Sequence, residues 1–126
     1  MDKIKGKRKS TTPQVRTTRA TKGLTDAHLS EIAHFFGVLS ESSRLRLLRA
    51  LMQGPLNVSQ LMKATGMQQG NVSKHLGVLL SAGFVEREQE GNFARYSIAD
   101  QTVFTLCAMM CDRVEERARE RMRRFG

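Results

Sequence analysis

Apolar residues recur along this chain at two periods, and the change from one to the other marks its organisation. Leu29, Ile32, Ala33 and Phe36 follow i, i+3, i+4, i+7, the spacing of one helix face. Thr25 suits the cap of that helix, and Asp26 places a carboxylate at its positive end. Gly37 and Ser40 interrupt the pattern. A second helix, roughly 42–52 with Ser40 or Glu41 opening it, has Leu45, Leu48, Ala50, Leu51 and Met52 apolar and Arg44, Arg46 and Arg49 on the other positions. Gly54-Pro55 stops it, and Asn57 with Gln60 three residues on forms a capping-box pair for a short third helix over 58–64. Val58, Leu61 and Met62 are its buried face, and Gly66 closes it.

Residues 67–83 form the stretch around which the rest is arranged. Val72, Leu76 and Leu79/Leu80 give one helix face and Gly83 the stop, while Gln68, Gln69, Asn71, Ser73, Lys74 and His75 lie on the first turn and the polar side. Short and amide-bearing side chains of this kind hydrogen-bond base edges and phosphates, unlike the Glu/Lys mixture of an ordinary solvated helix. Two short helices joined by a Gly-containing turn read as a helix-turn-helix with 67–83 as its recognition helix. A helical hairpin in an ordinary bundle is the plainer reading of these residues alone.

After Gly83 the period becomes two. Phe84–Glu88 and Phe93–Ile98 are strand-like runs around the turn residues Gln89-Glu90-Gly91-Asn92, a β-hairpin in the place of a wing. Arg87 and Arg95 are the wing residues able to reach a DNA backbone, and Glu86, Glu88 and Glu90 weaken that contact. A last helix over about 102–123 carries the stripe Val103, Leu106, Cys107, Met110 and Val114, with Phe104 and Cys111 on its flank. Glu115–Arg119 and Glu120–Arg124 pairs follow at i, i+4. A stripe this long exceeds what one small domain buries by itself, so the pattern predicts a two-fold dimer. The expected fold is mostly α with a two-stranded β-wing, a winged helix-turn-helix.

Charge sharpens the functional side of this picture. The net charge of +9 over 126 residues points to a polyanionic partner. Residues 1–24 hold eight Lys/Arg against Asp2 and almost no large apolar residue, so they read as a disordered basic arm contacting phosphates or serving as a solubilising tail. Residues 25–126 then form one DNA-binding and dimerisation domain with 13 basic and 11 acidic residues. No apolar run approaches a membrane span, which makes the cytoplasm the expected location. The chain shows no nucleophile–base constellation, phosphate-binding glycine loop or convergent acid pair, so it is not expected to be an enzyme.

Val38-Leu39-Ser40-Glu41-Ser42-Ser43-Arg44-Leu45-Arg46-Leu47-Leu48 resembles the A-L-S-D-P-x-R-L-x-I-L of the ArsR/SmtB family of bacterial winged-helix repressors. Asn71 to Leu79 resembles that family's x-V-S-x-H-L-x-x-L, Ala82-Gly83-Phe84-Val85 its A-G-L-V, and Gly91 to Tyr96 the G-x-x-x-x-Y of its wing. The resemblance covers roughly residues 27–115. It implies a homodimer, joined through the first and last helices, that binds an inverted-repeat DNA operator and is released by a metal, metalloid or thiol-reactive signal.

The chain departs from that family at its sensing sites. Where a Cys-x-Cys metal site would lie in the helix before the recognition helix, it has Asn57-Val58-Ser59. Where a zinc site would join the terminal helices, it has Asp100, Thr102, Arg113 and Glu116, carboxylates without imidazoles and a repelling cation. In place of a second-helix redox cysteine it has Arg49. Cys107 and Cys111 are the soft ligands left, four apart on one helix at about 6 Å between Cα atoms. Across a two-fold axis they could bind zinc, cadmium or arsenite, or link by a disulfide or polysulfide; as buried thiols they would be plain core residues. The alternative for the whole chain is a ligand-independent regulator, or a protein-interaction module whose basic arm alone touches nucleic acid.

Overall fold

A computed structural model describes residues 23–125, so most of the predicted basic arm lies outside the described residues. The chain divides into two units at His34/Phe35. The described part of the first unit opens helix α1 (Asp26–Leu39). Thr25 Oγ1 accepts from the His28 amide at 3.2 Å, and His28 Nδ1 accepts from the Thr25 amide at 3.1 Å, a reciprocal cap that commits the imidazole to the helix start. Leu29 and Ile32 are exposed.

The second unit begins within α1, which runs through Gly37 where the sequence pattern predicted a break. Helix α2 (Ser42–Leu51) is capped by the Glu41 carboxylate, which accepts from the Ser43 amide at 3.0 Å. Helix α3 (Val58–Thr65) carries the expected capping box: Asn57 Oδ1 accepts from the Gln60 amide at 2.8 Å, and Gln60 Oε1 accepts from the Asn57 amide at 2.9 Å. Gly66, at φ 75°, turns the chain in the left-handed region toward helix α4 (Gln69–Ser81). Leu47, Leu48 and Leu61 interlock with Val72, Leu76 and Leu79 of α4 in the core, joined by Phe84 and Val103. Phe35 closes one edge, its ring centroid 4.7 Å from that of Phe84.

Strands β2 (Val85–Glu90) and β3 (Phe93–Ile98) form the hairpin, with Glu90 opposite Phe93. The connection is therefore two residues, shorter than the four-residue turn predicted. Gly91 sits at φ 61° as first central residue, the position a type II′ turn reserves for glycine. A third strand, β1 (Leu56–Asn57), pairs with Tyr96 and Arg95 to give an antiparallel sheet in the order β1-β3-β2. Its two residues have no periodicity to read. Helix α5 (Gln101–Phe125) is capped by Asp100, whose Oδ1 accepts from the Thr102 amide at 2.8 Å. Val103 is buried, Leu106 and Cys107 are half-buried, and from Met109 onward α5 is exposed. Among the described residues no helix is long and apolar enough to cross a membrane.

Candidate nucleic-acid interface and thiol pair

Helix α4 is anchored on one side and bare on the other. Val72, His75, Leu76 and Leu79 are buried, while Gln68, Gln69, Gly70, Asn71, Ser73, Lys74 and Gly77 are exposed. Gln68 caps the helix without a side-chain hydrogen bond, unlike Glu41 on α2 and Asn57 on α3. No acidic side chain lies in its first turn, so the amides there face outward with no carboxylate competing for them. Five of the six predicted helix contacts, Gln68, Gln69, Asn71, Ser73 and Lys74, are thus exposed to solvent.

His75 is the correction. Its imidazole is only 6% exposed, turned toward the core, with Nδ1 3.2 Å from Arg44 Nη1. With the residue buried and Nδ1 beside Arg44, His75 is set apart from the exposed side chains of α4, against the expectation that it addresses a base edge. Periodicity places position 75 beside the apolar stripe, and its polarity drew it onto the wrong face.

The wing arginines part company. Arg87 lies opposite Tyr96, and Arg95 opposite Glu88, so successive pairs in the ladder put the two on opposite faces of the ribbon. Arg95 is drawn in: Nη1 lies 3.3 Å from Glu90, and Nη2 donates to the Pro55 carbonyl at 3.3 Å. Arg87 donates to Gln89 at 3.2 Å along its own strand. Glu86, Glu88 and Glu90 share the face that carries Arg95 and the exposed Phe93. A phosphate contact by Arg95 would first have to break its existing bonds.

Cys107 is half-buried and Cys111 exposed, and both are free thiols. Burial, and secondarily the neighbouring Cys111, push the Cys107 thiol above its ordinary pKa, so at neutral pH it carries its proton. Of the carboxylates singled out around α5 in the sequence, Asp100 caps the helix, and Glu116 lies 3.7 Å from Arg113. Among the described residues no three His, Cys, Asp or Glu side chains converge as a metal cluster.

A helix-turn-helix with its second helix bare on one face, followed by a β-ribbon and a long terminal helix, defines a winged helix-turn-helix regulator. Residues 41–87 match the profile of the bacterial regulatory proteins of the arsR family. A "probable mercury resistance operon repressor" of Streptomyces lividans is 31% identical over 94 residues, 75% of each chain. Among solved structures, the homodimeric winged helix-turn-helix DNA-binding domain of a Mycobacterium bovis protein, described as a possible ArsR-family regulator, superposes with TM-score 0.70 at 31% identity, covering 79% of this chain and 93% of that one. The antimony-specific transcriptional repressor AntR superposes with TM-score 0.73 at 30% identity, covering 85% and 97%. The chain belongs to the arsR family of bacterial transcriptional regulators.

Proposed function

We propose that this protein is a homodimeric repressor that grips an inverted-repeat operator with two copies of α4, and releases it when a thiol-directed signal reaches Cys107 and Cys111. The observation that carries the first half is the bare face of α4. Gln69 and Asn71 are set to address base edges, Ser73 and Lys74 the phosphates, and Gln68 the backbone at the helix start. In a dimer the two helices enter successive major grooves about 34 Å apart. Arg87 is the wing residue better placed for the flanking backbone. The homodimeric relative and the exposed Met110 and Val114 of α5, with Leu29, Ile32 and Phe36 of α1, support assembly through the first and last helices. Such a regulator acts in the cytoplasm, and its work is binding, not catalysis.

For the signal, the relatives concerned with mercury and antimony support a soft ion, which two thiols four apart on one helix suit better than a hard cation. Thiol oxidation is the other signal the pair admits, through a disulfide between the protomers of the dimer.

Binding to DNA from upstream of its own gene, followed by fluorescence anisotropy across a salt series, tests the interface. Lys74→Ala should weaken binding to all sequences and flatten the salt slope by about one unit. A changed sequence preference with an intact slope would remove Lys74 from the phosphates. Deleting residues 1–23 should leave specific binding in place, whereas complete loss would favour an arm-only contact. Adding mercuric ion or antimonite, or mild oxidation, should release the DNA from the wild type and not from Cys107→Ser/Cys111→Ser.

A further inference from the structure

One guanidinium holds three helices of the second unit together. Arg44, in the first turn of α2, donates from Nε to the Val38 carbonyl at 2.6 Å, filling an acceptor left open at the end of α1. Its Nη1 lies 3.2 Å from His75 Nδ1 in the middle of α4. Guanidinium nitrogens only donate, so Nδ1 is the acceptor of this pair. Among the described residues His75 is the buried polar side chain, set between Val72, Leu76 and Leu79.

A leucine at 75 would fill that place and bring no polar group into the core. A buried imidazole costs desolvation, and its bond to Arg44 offsets only part of that. What the polar tie supplies, and apolar packing does not, is direction: a hydrogen bond fixes the rotation of a helix about its own axis, whereas leucines tolerate sliding. Successive residues are 100° apart around α4. Any rotation that takes Nδ1 away from Arg44 therefore swings Gln69, Asn71 and Lys74 by the same angle.

We propose that Arg44 and His75 are positioning residues for DNA recognition, locking the rotation of α4 against α2 and the end of α1 so that its bare face meets the groove in one register. The inference rests on the reading of α4 as the DNA-contacting helix. Neither residue touches DNA; both act through the side chains they aim.

The test compares wild type, His75→Leu, His75→Asn and Arg44→Met. Thermal midpoints are set beside binding to upstream DNA and to a scrambled duplex, and hydrogen exchange is followed along α4. His75→Leu should melt no lower than wild type, yet bind the upstream DNA roughly tenfold more weakly with scrambled-duplex binding unchanged. His75→Asn keeps an acceptor near the position of Nδ1. It should melt lower but bind more tightly than His75→Leu. Arg44→Met should lose at least as much as His75→Leu, and combining the two should cost no further affinity. Wild-type affinity in His75→Leu, an affinity order that follows the melting order, or additive losses in the double variant would each overturn the proposal. If the wild type does not distinguish its upstream DNA from the scrambled duplex, the DNA-binding reading fails by itself. Exchange along α4 then decides the tie: faster in His75→Leu upholds it, unchanged overturns it.

Discussion

Cys107 and Cys111 show how differently two like residues behave one helical turn apart. Cys107 packs against the core, and burial holds its thiol protonated beyond the usual range; Cys111 stands in solvent. Iodoacetamide at neutral pH should therefore alkylate Cys111 first, with Cys107 lagging until the pH passes above the ordinary thiol range. Mass spectrometry of timed digests reads the order, and equal rates would show that Cys107 is not shielded. The raised pKa also fixes a sign. The folded state holds the Cys107 proton more tightly than the unfolded state does, so this group's contribution to stability is intact below the ordinary thiol pKa and lost as pH climbs through the raised one. A soft ion binding both sulfurs displaces that proton, so its affinity should strengthen as pH rises. At this scale the sequence showed the pair and its spacing. It could not show which thiol is shielded, because that depends on what α2 and β3 place beside α5.

Among the elements, α4 is where local preference and use diverge. Gly70 and Gly77 sit within a helix, where glycine costs about 0.5–1 kcal/mol against alanine, and a Cβ at either would meet nothing within 4 Å. The fold does not require these glycines. Gly77→Ala should raise the thermal midpoint by the corresponding amount, and lower affinity for upstream DNA if the bare face approaches the groove closely. A stabilised variant that binds DNA as tightly as wild type would place Gly77 away from the contact. The wing teaches a related lesson. Alternation identified β2 and β3, and Gln89-Glu90-Gly91-Asn92 located their turn two residues too wide, since both signals are local and neither fixes where pairing stops. Which face each arginine takes follows from register, and that Arg95 is occupied by Glu90 and the Pro55 carbonyl follows from a contact 40 residues apart.

In the whole molecule the apolar surface left over points to assembly. Met110 and Val114 are each 57% exposed on α5, beyond the part that Val103 anchors to the core. Val114→Glu removes nothing from that core, so the variant should stay helical and melt near wild type while its sedimentation falls from dimer to monomer, and operator binding should fall with it. A stable dimer of the variant would move the interface off this part of α5.

The sequence by itself determined the order and kind of elements, because helix faces, caps and turn glycines are written in neighbouring residues: Asn57 with Gln60, Gly66, Gly91, and the stripe of α4 all act within a few positions of themselves. The tertiary structure decided what each polar side chain is for. His75, expected at a base edge, lies buried beside Arg44; Arg44, read only as lying off the apolar face of its helix, reaches both the Val38 carbonyl and His75; and Leu56-Asn57 became a strand because β3 lay alongside. Polarity reveals that a side chain needs a partner; only the fold reveals whether that partner is protein or solvent, because the partners lie 31 or 40 residues away and are brought near by packing alone.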